Sequence, residues 1–164
     1  MDIRKIYQYA LQREYEGKRF FQENAERLNN STAVNAFKRL VNEEQRHIDY
    51  IQYQIDMLEG KQADLPGSSE PPLQINDVFA GRASKEGIET SIAEAMVADL
   101  PVLRMAYLIE RDFAEFYEQS AAQFEGEARE VLSMLANWER SHERLFKSFH
   151  DKAFNEYLNM PWGG

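Results

Sequence analysis

The sequence predicts an all-α four-helix bundle made of two antiparallel hairpins joined by a long crossover. Three observations carry that reading. Apolar residues recur at a period near 3.6 in four long segments, short turn signals separate the members of each pair, and one Pro- and Gly-rich stretch divides the pairs. A chain of 164 residues with 43% hydrophobic and 29% charged content suits a single domain over residues 1–164.

The first helix is expected at about 2–28, where Ile3, Ile6, Tyr7, Ala10, Leu11, Gly17, Phe21, Ala25 and Leu28 line one stripe. Asn29-Asn30-Ser31-Thr32 supplies turn and N-cap formers, and a second stripe follows over about 32–59, from Val34 through Leu40 and Ile48 to Leu58, closing at Gly60. Leu65-Pro66-Gly67-Ser68-Ser69-Glu70-Pro71-Pro72 cannot be a helix interior, so about 61–99 reads as the crossover, with a short helix expected from Thr90 to Ala98. The third helix, about 100–124, opens with Pro101 in its first turn and carries Leu103, Ala106, Tyr107, Phe113, Tyr117 and Ala121. Gly126 breaks the pattern. The fourth helix, about 127–157, continues it through Val131, Leu135, Leu145, Phe149 and Ala153 before a Pro161-Trp162-Gly163-Gly164 tail.

Charge and composition exclude several functions. A net charge of −9 offers no basic surface for a phosphate backbone, which argues against nucleic acid as a partner. No apolar run reaches the ~18–20 residues that span a bilayer. No apolar segment follows Met1-Asp2-Ile3-Arg4-Lys5 to make an export signal, so no membrane partner and a cytoplasmic location are expected. The chain has no cysteine, which removes thiol catalysis, iron–sulfur clusters and Cys-held zinc and leaves only oxygen and imidazole as metal ligands.

Every one of the four stripes is interrupted by carboxylate. Glu14 lies four residues after Ala10 and seven before Phe21, so it points where they point. Glu44 and His47 fill the steps between Leu40 and Ile51, Glu110 sits between Ala106 and Tyr117, and Glu139 and His142 sit between Leu135 and Phe146. Four carboxylates facing one core lose hydration and repel one another, so they need protons or bound cations, and two divalent ions balance four charges. A Glu and a His three residues apart share a helix face and reach the same or adjacent ions. Carboxylate oxygens with two imidazoles suit Fe or Mn, with Zn or Co as substitutes.

Within each expected hairpin the candidate ligands match in depth. The midpoint of Glu14 and Glu44 falls at Asn29, and that of Glu110 and Glu139 falls between Phe124 and Glu125, at the two turns. Glu14, Glu44 and His47 recur as Glu110, Glu139 and His142 after 96, 95 and 95 residues, and Phe20-Phe21 recurs as Phe116-Tyr117. Duplication of an ancestral hairpin accounts for such a repeat.

These residues, Glu14 with Phe20-Phe21 and Glu44-x-x-His47, repeated as Glu110 with Phe116-Tyr117 and Glu139-x-x-His142, resemble the rubrerythrin branch of the ferritin-like di-iron carboxylate proteins. The resemblance covers nearly the whole chain except the crossover and the tail. It implies a ferritin-like bundle holding two iron ions, with Mn or Zn as substitutes. Glu44 and Glu139 would bridge the pair, Glu14 and His47 would complete one ion, and Glu110 and His142 the other. The same six residues would be the catalytic set, reducing hydrogen peroxide or O2 by two electrons. Two departures stand out. These 164 residues contain no four-Cys module of the rubredoxin type that rubrerythrins proper carry, so an external electron donor such as rubredoxin is expected. Phe113 stands where rubrerythrins carry an additional carboxylate one turn after the third-helix ligand. The family also implies a homodimer. The alternatives are a ferroxidase that hands iron to a store and a metal-stabilised bundle without turnover.

Lesser candidates have structural readings beside functional ones. Tyr107 and Tyr117 share the Glu110 stripe and are read as core before they are read as hydrogen-bond or electron donors. Gly17 either opens a small space for O2 or peroxide or permits close helix packing, the latter favoured. Asn24 is a candidate to support a ligand, while His150 and Glu43 are read as surface, Glu43 because it points about 100° away from Glu44.

Overall fold

The computed structural model describes residues 1–67 and 97–161. It contains four long helices, α1 Ile3–Ala25, α2 Ser31–Leu58, α3 Leu100–Ala121 and α4 Gly126–Asn159, and no strand among the described residues. α1 pairs with α2 and α3 with α4, giving the two hairpins. Most of the helix expected at Thr90–Ala98, most of the crossover, and the tail from Trp162 lie outside the described residues, which resume at Val97 in helical conformation.

Local sequence chemistry sets the helix ends. The Asp2 side chain accepts a hydrogen bond from the Arg4 amide at 3.0 Å and starts α1. Asn30 starts α2 in the same way, accepting from the Thr32 and Ala33 amides at 3.0 and 3.1 Å. α2 stops where Gly60 turns to φ 69°. There the Gly60 amide bonds to the Met57 carbonyl and the Lys61 amide to that of Asp56, which closes the last orphan carbonyls. α1 and α3 end at Ala25 and Ala121, three residues before the ends read from periodicity. The apolar pattern runs on past both ends because Leu28 is buried within the α1–α2 turn and Phe124 packs under the α3–α4 turn.

Two apolar clusters define the connectivity. One joins the C-terminal half of α1 (Phe21, Ala25), the N-terminal half of α2 (Phe37, Leu40), the start of α3 (Leu103, Ala106) and the C-terminal half of α4 (Leu145, Phe146, Phe149). The other joins the start of α1 (Tyr7, Ala10), the end of α2 (Ile51, Ile55), the end of α3 (Tyr117, Ala121) and the start of α4 (Leu132, Leu135). α2 therefore ends at one end of the bundle while α3 begins at the other. The two helices run parallel, and the chain between them must cross the bundle's length. Asp99 fastens that return. Its buried carboxylate accepts the Asn29 amide at 2.7 Å, the Asn29 side-chain amide at 3.0 Å and the Asn30 amide at 2.8 Å, tying the start of α3 to the α1–α2 turn.

The first cluster is aromatic. Phe21 and Phe146 stack at 5.5 Å, and Phe37 meets both edge-on at 5.1 Å. The functional side chains lie between the two clusters, walled off from water at either end of the bundle.

Candidate metal centre

Each helix carries its carboxylate on the buried stripe. Glu14, Glu44, Glu110, Glu139 and His142 are 0% exposed and His47 is 4% exposed, so all six residues singled out from the sequence come to one buried place. Their ligand atoms form three overlapping groups: His47, Glu139 and His142 make one, and two sets of four make the others. Glu14, Glu44, His47 and Glu139 bring one atom each within 4.8 Å of one another, as do Glu44, Glu110, Glu139 and His142. Glu44 and Glu139 belong to both sets of four.

Both imidazoles turn Nδ1 toward the carboxylates. His47 Nδ1 stands 2.9 Å from Glu139, 3.3 Å from Glu14 and 3.7 Å from Glu44. His142 Nδ1 stands 3.3 Å from Glu139, 3.4 Å from Glu110 and 3.6 Å from Glu44. The two rings lie nearly parallel, 5.4 Å apart, and the indole of Trp138 stacks on the outer face of His47 at 4.9 Å.

Charge crowding dominates the electrostatics. Burial, then the charges of Glu139, Glu14 and Glu110, push the Glu44 carboxyl well above the usual carboxylate range. Burial and Glu139 do the same to Glu110, against the opposing pull of His142. Burial acts against charge on His47, yet Glu139 and Glu14 outweigh it and hold the ring up to about 10. His142 is likewise raised well above its ordinary value, burial opposing and Glu110, Glu139 and Glu43 prevailing. Glu139 goes the other way, since two histidines beside it overcome its burial. The crowding thus raises the proton affinity of Glu44, Glu110 and both histidines.

Both oxygens of Glu44 and both of Glu110 are buried with no donor in hydrogen-bond geometry. Native interiors rarely leave such atoms orphaned, because each costs about 1–3 kcal/mol. An all-oxygen and imidazole donor set around orphaned carboxylates fits divalent cations, and this buried His/Glu cluster can hold a metal ion.

The residues around the centre add what the sequence reading did not resolve. The Tyr117 hydroxyl donates a short hydrogen bond to Glu14 Oε1, and burial followed by the Glu14 charge raises its pKa well above the usual phenol value. Glu43 is not on the surface: it is 6% exposed and its Oε2 lies 2.7 Å from His142 Nε2. The step of 100° from Glu44 turns it toward α4, where the far edge of the His142 ring waits; only the inter-helix arrangement reveals that. Gly17 leaves no open space beside the centre. The Phe113 ring fills it, 2.8 Å from where a Gly17 Cβ would stand. Asn24 bonds the Phe20 carbonyl of its own helix, and His150 and Tyr107 meet each other edge-on at 5.3 Å, away from the ligands.

No helix among the described residues is long and apolar enough to cross a membrane. Comparison with protein-family models, curated proteins and solved structures finds no match.

Proposed function

We propose that the cluster holds two iron ions and that the protein is a rubrerythrin-like di-iron oxidoreductase that reduces hydrogen peroxide or O2. The observation that carries this reading is the pair of overlapping ligand groups that share Glu44 and Glu139. Glu14 and His47 would complete one ion and Glu110 and His142 the other. Bound there, an iron pair would supply the two electrons that, with two protons, turn hydrogen peroxide into two water molecules, and an external one-electron donor such as rubredoxin would have to return them.

The chain's own residues provide the rest. Burial and neighbouring carboxylates raise the proton affinity of Glu44 and Glu110, so any proton they hold would have to leave on loading. The Tyr117 hydroxyl fixes the rotamer of Glu14. The two apolar clusters and the Phe113 ring keep water from the carboxylates, which strengthens every charge interaction among them. The acidic net charge of −9 draws cations toward the protein.

The test is anaerobic loading with two Fe(II) per chain, then rapid mixing with peroxide or with O2 while following the near-ultraviolet absorption of the oxidised iron. Faster oxidation by peroxide is expected. Faster oxidation by O2, with Fe(II) consumed beyond two per chain, would replace this reading with iron handling. A chain that binds ions but oxidises neither way would leave a metal-stabilised bundle.

A further inference from the structure

We propose that the two halves of the centre are unequal ligand sets, that the Glu110–His142 half takes the first and tighter divalent ion, and that Glu43 sets the difference. This rests on the reading that the cluster holds two ions.

The repeat makes the comparison possible position by position. Glu43 precedes Glu44 as Trp138 precedes Glu139, so these two residues occupy equivalent places. Their contacts differ. Glu43 places a carboxylate oxygen 2.7 Å from His142 Nε2, on the side of the ring away from the centre, whereas Trp138 lays an indole face on His47. A carboxylate accepting the far N–H of an imidazole fixes its tautomer and makes the other nitrogen a stronger donor. A stacked indole does neither.

The same comparison holds at a second pair. Tyr117 is equivalent to Phe21, and its hydroxyl bonds Glu14, drawing electron density from that carboxylate. Phe21 has no donor to offer, and both oxygens of Glu110 lack one. So one half combines an undamped carboxylate with a carboxylate-backed imidazole, and the other combines a hydrogen-bonded carboxylate with an indole-stacked imidazole. Both differences favour the Glu110–His142 half as the stronger donor set for a divalent ion.

Repulsion between two cations separates two binding steps even in a symmetric centre, so the order must be read from variants. The experiment is calorimetric titration of the metal-free full chain with Co(II) at neutral pH, each variant first checked for helix content. The wild type is expected to take two ions per chain in two steps, and Glu43→Gln to weaken the first step about 10- to 100-fold. The same substitution should weaken the single ion left in His47→Ala and leave the one in His142→Ala unchanged. Tyr117→Phe should tighten the second step alone. If Glu43→Gln does not fold, His47→Ala must still retain a tighter ion than His142→Ala. Equal affinities in those two chains, or a Glu43→Gln effect of the same size in both, overturns the inequality while leaving the two-ion reading intact. A folded wild-type chain that binds no Co(II) overturns both.

Discussion

Gly17 and Phe113 are complementary across the α1–α3 contact. They stand at equivalent positions of the two repeats, and the ring of one occupies the volume that the other's missing side chain leaves, with Cε2 2.8 Å from the place of a Gly17 Cβ. The Arg13 guanidinium lies 4.8 Å over the same ring and Phe113 is buried, so the ring has little room to retreat. Gly17→Ala gains about 1 kcal/mol of helix propensity. It loses about 1–3 kcal/mol to overpacking. A net destabilisation of about 1 kcal/mol is expected, with Gly17→Ala/Phe113→Leu more stable than Gly17→Ala alone. Urea unfolding of the four chains of the double-mutant cycle checks this, and a more stable Gly17→Ala chain would contradict the close fit.

The pH dependence of the metal-free chain follows from the same crowding. Glu44 and Glu110 are raised above their ordinary carboxylate values, His47 is raised to about 10, and His142 is raised as well. In each case the folded chain binds a proton more tightly than the unfolded one. The stability so gained is full below the unfolded pKa and is lost as pH rises through the folded pKa. Glu139, lowered, acts oppositely but only in the acid range below its ordinary value. Between about pH 5 and pH 10 the metal-free protein should therefore lose stability steadily. Metal should raise Tm more at pH 8 than at pH 5, where protons already neutralise part of the cluster. Thermal melts with and without chelator at both pH values check this; equal melting throughout would count against a metal site.

Glu44 is expected to show opposite effects on stability and on binding. It belongs to both four-residue ligand groups, and both its oxygens are buried without a donor. Burial and the charges of Glu139, Glu14 and Glu110 all act against a charged Glu44, so a hydrophobe of similar volume there relieves both desolvation and repulsion. Glu44→Leu should stabilise the metal-free chain at neutral pH and should bind fewer than two ions. Denaturation and a metal titration on the same preparation provide the check. A purely structural carboxylate would give a less stable chain instead.

The helices and the six clustered residues were legible because both depend on one local rule, the 3.6-residue period. Glu14, Glu44, Glu110 and Glu139 showed as interruptions of that period, and their depth followed from the hairpin turns. Glu43 escaped the rule because its partner His142 lies on another hairpin, and a single-helix projection cannot say what stands beside a residue turned off the stripe. Gly17 and Phe113 were each visible, but not that one fills the other.

Asp99 is the clearest nonlocal case, since it lies at the end of the crossover and bonds residues seventy positions earlier in the chain. Three N–H groups converge on its carboxylate, two of them backbone, and Asn30 is itself buried. Asp99→Ala would leave those donors unsatisfied and should destabilise by about 3 kcal/mol. Asp99→Asn, which keeps an acceptor, should cost less. Neither should change metal stoichiometry, because Asp99 anchors the chain's return rather than the centre. Chemical denaturation with a parallel Co(II) titration separates the two effects.

Trp138 offers an optical reading of the centre. Its ring stacks on His47 at 4.9 Å with planes 15° apart, and it is the only indole among the described residues. The chain has two tryptophans, so a Trp162→Phe chain leaves Trp138 as the sole indole emitter. Co(II), an open-shell ion, quenches an excited indole at short range, whereas Zn(II) with its filled d shell does not. Titration with Co(II) should quench Trp138 strongly, and Zn(II) should raise Tm with far less quenching. In His47→Ala, which loses a ligand next to the indole, the quenching per bound Co(II) should fall. Calorimetric binding of Co(II) without quenching of Trp138 would mean that the ions lie elsewhere on the protein, and it would remove the link between the six buried residues and the metal.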